Sequence, residues 1–169
     1  VEELVRDVLI NSSCAEVTNI VSSTGSDFGS TNGIAYFSGN GLSFPFTEGI
    51  VLTTGDATEA SGPESGTLSS GSGSWPGDED LAEAIPGLDL NTSFNATYIQ
   101  FDFIPLANNI GFNFVFASEE YGTFQCSYTD AFAFLLTNNQ TGEKTNLALV
   151  PGTADPISVL SVRDDTHNS

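Results

Sequence analysis

Basic residues are nearly absent from this chain. Its 169 residues include 3 Lys and Arg against 22 Asp and Glu, which gives a formal net charge of −19. Binding to nucleic acid or to an anionic membrane surface depends on basic side chains that neutralise phosphate charge, so both classes of partner are nearly excluded. A chain this acidic repels itself when it is compact. The charge therefore indicates either bound divalent cations or a saline habitat, and composition does not separate the two.

Several other features are missing. The sequence contains no Met, so we expect a processed or trimmed chain from which a signal peptide has been removed. No run approaches the roughly 18 apolar residues of a membrane span. Cys14 and Cys126 form no CxxC pattern, which leaves one long-range disulfide or two buried thiols. Low Lys content and many Ser, Thr, Asn and Gly residues are typical of extracellular proteins and favour a Cys14–Cys126 disulfide.

Two apolar, aromatic runs at residues 112–116 and 130–136 organise the rest of the sequence. Each run is nearly continuous, which predicts two strands that are buried on both faces or lie at the centre of a sandwich. The loop between the runs carries Glu119, Glu120 and Cys126, and Asp130 begins the second run. Acids at the rim of a rigid sheet are well placed to bind a cation or another ligand. The alternative is that they are solvated rim residues.

Short apolar segments separated by polar turns make up the remainder. A helical period predicts a helix over residues 2–10, and a short helix is predicted over 78–85. Further strands are predicted at residues 14–21, 34–37, 49–55, 97–104, 147–150 and 157–162. We interpret the Gly- and Ser-rich stretch 57–77 as an excursion within one domain rather than a linker. The pattern predicts one all-β domain over residues 1–169, a β-sandwich or jelly-roll-like fold with a short N-terminal helix.

The acids fit calcium binding better than catalysis. Adjacent carboxylates on a strand point to opposite faces, and the single histidine, His167, lies in a polar tail, so we predict that the chain is not an enzyme. Ca²⁺ takes roughly 6–8 oxygen ligands, which loops readily supply. The candidate calcium ligands lie at predicted strand ends or in loops: Asp56, Asp78, Asp80, Glu119, Glu120 and Asp130.

Five elements of the sequence resemble one known family. They are Gly-Ile-Val-Leu-Thr-Thr-Gly-Asp at 49–56, Gly-Asp-Glu-Asp-Leu at 77–81, Phe-Ala-Ser-Glu-Glu-Tyr at 116–121, Cys126, and Asp-Ala-Phe-Ala-Phe at 130–134. Together they are similar to the choice-of-anchor L domain, from about residue 4 to residue 162. The resemblance implies an exported, surface-displayed module of Bacteroidetes and their relatives, often on chains that leave by type IX secretion. The family usually continues with further strands, so we expect the domain to be incomplete at its C-terminal end.

We therefore hypothesise an extracellular adhesion or structural module on the cell surface, stabilised by calcium. The second hypothesis is a carbohydrate-binding module, for which Trp75 and Tyr128 are the candidate exposed aromatic platform, and the third is a glycan-cleaving enzyme. Expected partners are other surface proteins, glycans, or further copies of the chain in a filament. Filament assembly requires strand addition along an open edge at residues 157–162. The alternative is that the missing residues of the same protein complete that sheet.

Overall fold

The computed structural model describes residues 1–10, 15–39, 44–62, 68–106, 108–122 and 124–163. The chain forms two compact units, one of Val1–Pro76 with Ser93–Phe112 and the other of Gly77–Thr92 with Asn113–Ser169. The described residues form eight strands, paired antiparallel in four two-stranded sheets, and a few short helical segments. The predicted all-β class is confirmed. The sandwich arrangement and the single domain stay predictions.

The first unit begins with a short helix, which is followed by the first strand of a long antiparallel pair. Leu4–Leu9 forms a π-helix in which Val5 is buried, so the predicted N-terminal helix is confirmed. Strand β1 (Ala15–Ser23) pairs antiparallel with β4 (Tyr98–Pro105). Both strands were predicted, and the alternating pattern of residues 97–104 indicated the second. The Arg6 guanidinium donates a hydrogen bond of 2.8 Å to the Val17 carbonyl and ties the helix to β1.

A β-bulge interrupts the β1–β4 pairing between Thr18 and Val21. Asn19 lies in this interval with a φ of 52°, a left-handed conformation that Asn tolerates better than most residues. Its side-chain amide donates to the Asp102 carboxylate of β4 at 2.7 Å. The cross-strand hydrogen bond therefore holds the two strands together where the ladder is disrupted.

The second sheet of this unit is formed by β2 (Ile34–Ser38) and β3 (Glu48–Leu52) in regular antiparallel register. Both strands were predicted, although β3 ends three residues earlier than the pattern indicates. Two 3₁₀ turns, Gly25–Phe28 and Glu59–Ser61, belong to the same unit. The first is closed by reciprocal hydrogen bonds between Thr24 and Asp27, the arrangement of a capping box.

Trp75 is the largest fully buried side chain of the first unit, with 0% of its surface exposed. Its indole N–H donates to the Ala96 carbonyl at 2.7 Å. The ring also lies against two glycines: a Cβ on Gly25 would come within 2.5 Å of the indole Cε3, and one on Gly33 within 3.2 Å of Cη2. The stretch around Trp75 is therefore an integral part of this unit, because its tryptophan fills the core.

The second unit is built from short elements. Helix α1 (Glu79–Ala84) and the 3₁₀ turn Leu90–Thr92 precede four strands. Strand β5 (Ala131–Phe132) pairs with β8 (Ile157–Ser158), and β6 (Leu135–Thr137) pairs with β7 (Lys144–Asn146). The buried residues Ala148, Val150 and Ile157 form a small core, against which partly buried hydrophobic side chains pack: Phe116, Phe132, Phe134 and Val162.

Several predicted strands of the second unit are wrong or shorter than predicted. Residues 113–117 form no strand, and Phe114 and Val115 are exposed, so the first aromatic run is not a buried strand. The second run is broken into β5 and β6 at Ala133 and Phe134. Residues 147–150 contribute only an isolated bridge between Leu149 and Pro156. A continuous apolar run becomes a strand only where partner strands reach it.

The predicted open edge at residues 157–162 is also wrong. Only Ile157 and Ser158 are extended, and both pair with β5. The Ile157 N–H donates to the Ala148 carbonyl, and the chain then turns back, since the Val162 N–H donates to the Ser158 carbonyl. Residues of the same chain therefore occupy both sides of this segment. In the part of the chain that the structure describes, no helix is long and apolar enough to cross a membrane.

We expect Trp75→Phe to lower the free energy of unfolding of the first unit by roughly 2–4 kcal/mol, because it leaves a cavity and an unpaired Ala96 carbonyl. Urea denaturation followed by far-UV circular dichroism measures the change. Tyr98→Phe is the matched control at an exposed aromatic residue of the same unit, with an expected change within about 0.5 kcal/mol. Equal losses in both variants would contradict the structural role of Trp75.

Candidate functional site

The acidic loop of the second unit runs from Ser118 to Asp130. The Ser118 hydroxyl donates to the Asp130 carboxylate at 2.7 Å and accepts the Glu120 N–H at 3.1 Å. A serine that bonds the N–H two residues later forms a local turn. The Phe124 N–H donates to the Glu120 carbonyl and continues the turn. One hydroxyl thus fixes the start of the loop and holds Asp130 beside it.

Three carboxylates of this loop influence one another electrostatically. Burial raises the pKa of Glu120 above its ordinary value, and the negative charges of Asp130 and Glu119 raise that pKa further. The pKa of Tyr121 is also raised, by burial and then by Asp130. The Glu120 Oε2 atom is buried and has no hydrogen-bond partner among the described residues. The loop therefore holds negative charge that its own donors do not fully stabilise.

The remaining predicted calcium ligands have other partners. Asp56 lies in the first unit, where two hydrogen bonds from Thr58, from its hydroxyl at 2.7 Å and its N–H at 2.9 Å, lower the pKa of the carboxyl. Asp78 caps helix α1 by accepting the Leu81 N–H. Asp80 forms an ion pair of 2.6 Å with Lys144. Asp78 and Asp80 therefore serve different contacts within the second unit.

The structure brings Glu119, Glu120 and Asp130 together electrostatically, but it does not form a finished metal site from them. No group of three or more His, Cys, Asp or Glu side chains in the described ranges has the arrangement needed to hold a metal ion. Calcium binding stays a prediction. Ser118, which connects two of the acids, was missed by sequence reasoning. The signal that could have found it is a serine at the start of a predicted turn, because such a hydroxyl can accept the backbone N–H two residues later.

The two aromatic residues of the predicted glycan platform have opposite environments. Trp75 is fully buried in the core of the first unit, so its assignment to an exposed platform is wrong. The indole fills space that Gly25 and Gly33 leave, and a ligand has no access to its face. Tyr128 is 63% exposed and contacts Phe124 edge to face, with ring centroids 6.1 Å apart. Only Tyr128 remains as a candidate ligand contact.

Of the two predicted disulfide partners, the structure describes Cys126. Cys126 is exposed, and the Arg163 guanidinium approaches its Sγ at 4.0 Å. Cys14 lies outside the described residues, so the Cys14–Cys126 disulfide stays a prediction.

Of the comparisons with known proteins, one gives a match. No curated protein and no solved structure matches the chain. The family model of the Choice-of-anchor L domain matches residues 1–169, which is the whole chain. The expectation from the sequence motifs is thereby confirmed. The chain belongs to the choice-of-anchor L domain family, a family of extracellular or surface-associated modules.

Proposed function

We propose that this domain is a non-catalytic adhesion or structural module on the outer face of the cell. The observation that carries the proposal is the family match over all 169 residues, which assigns a surface-associated module. The scarcity of basic residues supports protein or glycan partners rather than nucleic acid. The proposal includes type IX export of the parent protein. It also includes a Cys14–Cys126 disulfide, which oxidising surroundings favour.

A carbohydrate-binding module is the second candidate. One observation favours it: Tyr128 presents most of its ring to solvent beside the half-buried Phe124. Aromatic rings with one apolar face and a polar hydroxyl are frequent contacts at interfaces. This candidate predicts that binding depends on Tyr128 and is inhibited by free sugars, whereas a protein-directed adhesin depends on neither.

The adhesive role is tested with cells that produce the parent protein with and without residues 1–169. We expect cells with the domain to attach to a protein- or glycan-coated surface several times more efficiently. Purified chain added in excess should reduce that attachment, because it competes for the same partner. Heat-denatured chain is the control for nonspecific inhibition. Equal attachment by both cell types, with the domain demonstrably exposed on intact cells, would exclude adhesion. Inhibition by sugars and by Tyr128→Ala would select the carbohydrate-binding alternative.

We further propose that calcium binds at the acidic loop of Glu119, Glu120 and Asp130. Burial, and then repulsion from Asp130 and Glu119, raises the pKa of Glu120, and a divalent cation relieves that repulsion. The buried Oε2 of Glu120, which has no hydrogen-bond partner among the described residues, supplies a ligand atom. Main-chain carbonyls of the loop and water complete the coordination that hard cations require.

The calcium proposal predicts a higher melting temperature in calcium than in chelator at matched ionic strength. A cation present at a hundredfold excess over its dissociation constant stabilises the folded state by about 2.7 kcal/mol. Glu120→Gln should abolish this gain, whereas Glu143→Gln, at an exposed acid of the same unit, should retain it. Coincident melting curves of the native chain in calcium and in chelator would contradict a specific site.

A further inference from the structure

Residues 113–117, here called the edge segment, expose apolar side chains beside β5. The Phe114 ring contacts the Phe132 ring of β5, with centroids 5.1 Å apart, and Phe116 packs on the core of the unit. Val115, between them, is 51% exposed, and Asn113 and Ala117 are exposed as well. Phe114 is itself 42% exposed despite this contact, whereas Phe116 is half-buried. The segment is therefore fixed on one side and open on the other.

The backbone of the edge segment pairs with no strand among the described residues. None of its N–H or C=O groups forms a hydrogen bond with a described residue. In a strand, five residues would span about 17 Å. The side chains contain no Gly, Pro or charge, and Phe and Val favour strands. An exposed row of this kind is a template for an added strand.

Negative charge near the edge segment favours a partner that carries positive charge. Glu120 and Asp130 lie in the loop that follows it, and neither forms an ion pair with a described residue. No described residue donates a hydrogen bond to the buried Glu120 Oε2. A second copy of this chain would bring another −19 of charge to the contact and is disfavoured. A cationic side chain complements this end of the segment.

We propose that the edge segment docks an extended strand of a different protein, one whose alternating apolar residues are followed by a Lys or Arg that reaches Glu120 and Asp130. Main-chain hydrogen bonds align the partner strand along residues 113–117, and the cation fixes its direction and register. This inference deepens the proposed adhesive function by naming the chemistry of the partner, and it rests on that function.

The test uses a short fluorescent peptide of alternating Val and Thr that ends in Lys, and a matched peptide that ends in Glu. Binding to the whole chain is measured by fluorescence anisotropy in chelator, so that calcium does not compete. We expect the Lys peptide to bind about tenfold more tightly than the Glu peptide. Glu120→Gln should remove most of that preference, and Glu143→Gln should keep it.

Backbone pairing is tested separately at Val115. Val115→Pro removes the N–H and should weaken Lys-peptide binding at least about tenfold, whereas Val115→Thr keeps both the N–H and the branched shape and should bind normally. Circular dichroism verifies that both variants fold; if Val115→Pro does not, the Glu120→Gln comparison decides.

Three results would overturn the inference: equal binding of the two peptides, no binding of either, or equal effects of the Pro and Thr substitutions. Sedimentation that shows dimers joined through Val115 would overturn it too, because the occupant would then be a second copy. Since attachment of whole cells is measured independently of these peptides, loss of the peptide result leaves the adhesive function standing.

Discussion

Twenty-two carboxylates share three basic side chains in this protein, and that imbalance governs how its polar groups are arranged. Two of the cations are taken up in surface ion pairs: Arg6 contacts Glu2, and Lys144 contacts both Asp80 and Glu83. The Lys144 pairs raise the pKa of its amine through their hydrogen bonds. Since exposed ion pairs contribute at most about 1 kcal/mol each, these contacts do not offset the total charge. Most acids must find other partners.

Neutral donors supply those partners. Backbone N–H groups and hydroxyls take the place of cations, so many acids also serve as caps and turn residues. The hydrogen bonds of this kind involve Asp27 with Thr24, Asp56 with Thr58, Asp78 with Leu81, Glu48 with Tyr36, Glu59 with Ser70, and Asp130 with Ser118. Glu120 departs from this scheme, because a buried oxygen of its carboxylate has no donor among the described residues and two further acids lie near it. The proposed calcium ion and the proposed cationic partner strand would each supply positive charge at Glu120, in competition with one another.

Local patterns in the sequence predicted the first unit well. The period of Leu4, Val5 and Val8 predicts the N-terminal helix, and alternation predicts β4, since both signals depend only on neighbouring residues. The burial of Trp75 could not be predicted from local pattern. It depends on Gly25 and Gly33, which lie more than forty positions earlier in the chain. Composition of the surrounding stretch indicates a loop, and a loop gives no sign that its one large side chain fills a core.

Sequence patterns predicted the second unit less well. Its continuous apolar runs predicted two buried strands, but residues 113–117 pair with no strand in the described part of the chain, and Val115 is exposed. Periodicity indicates which residues are suited to a strand, but strand formation also requires a partner strand from a distant part of the chain, which local pattern does not indicate. The acids of the site were found in sequence because they cluster near one another, while the contact of Asp80 with Lys144 spans 64 positions and has no local signal. Their position at predicted strand ends indicated the site, and the hydrogen bonds of the structure distinguish Glu120, whose buried Oε2 has no donor among the described residues, from Asp56, Asp78 and Asp130.

The central claim, that Glu120 holds a buried carboxylate oxygen with no donor among the described residues, is tested most directly by the pH dependence of unfolding. Its folded-state pKa is raised above the ordinary 4.5, so the native protein should lose stability relative to Glu120→Gln as pH rises through that pKa. Denaturation in chelator should give nearly equal stabilities below about pH 4 and an advantage for Glu120→Gln at pH 7 that remains, after solvent screening, below about 1 kcal/mol. Glu143→Gln removes the same charge from an exposed position and controls for net charge. A native protein that matches Glu120→Gln at every pH, or Glu143→Gln giving the same advantage, would contradict the account.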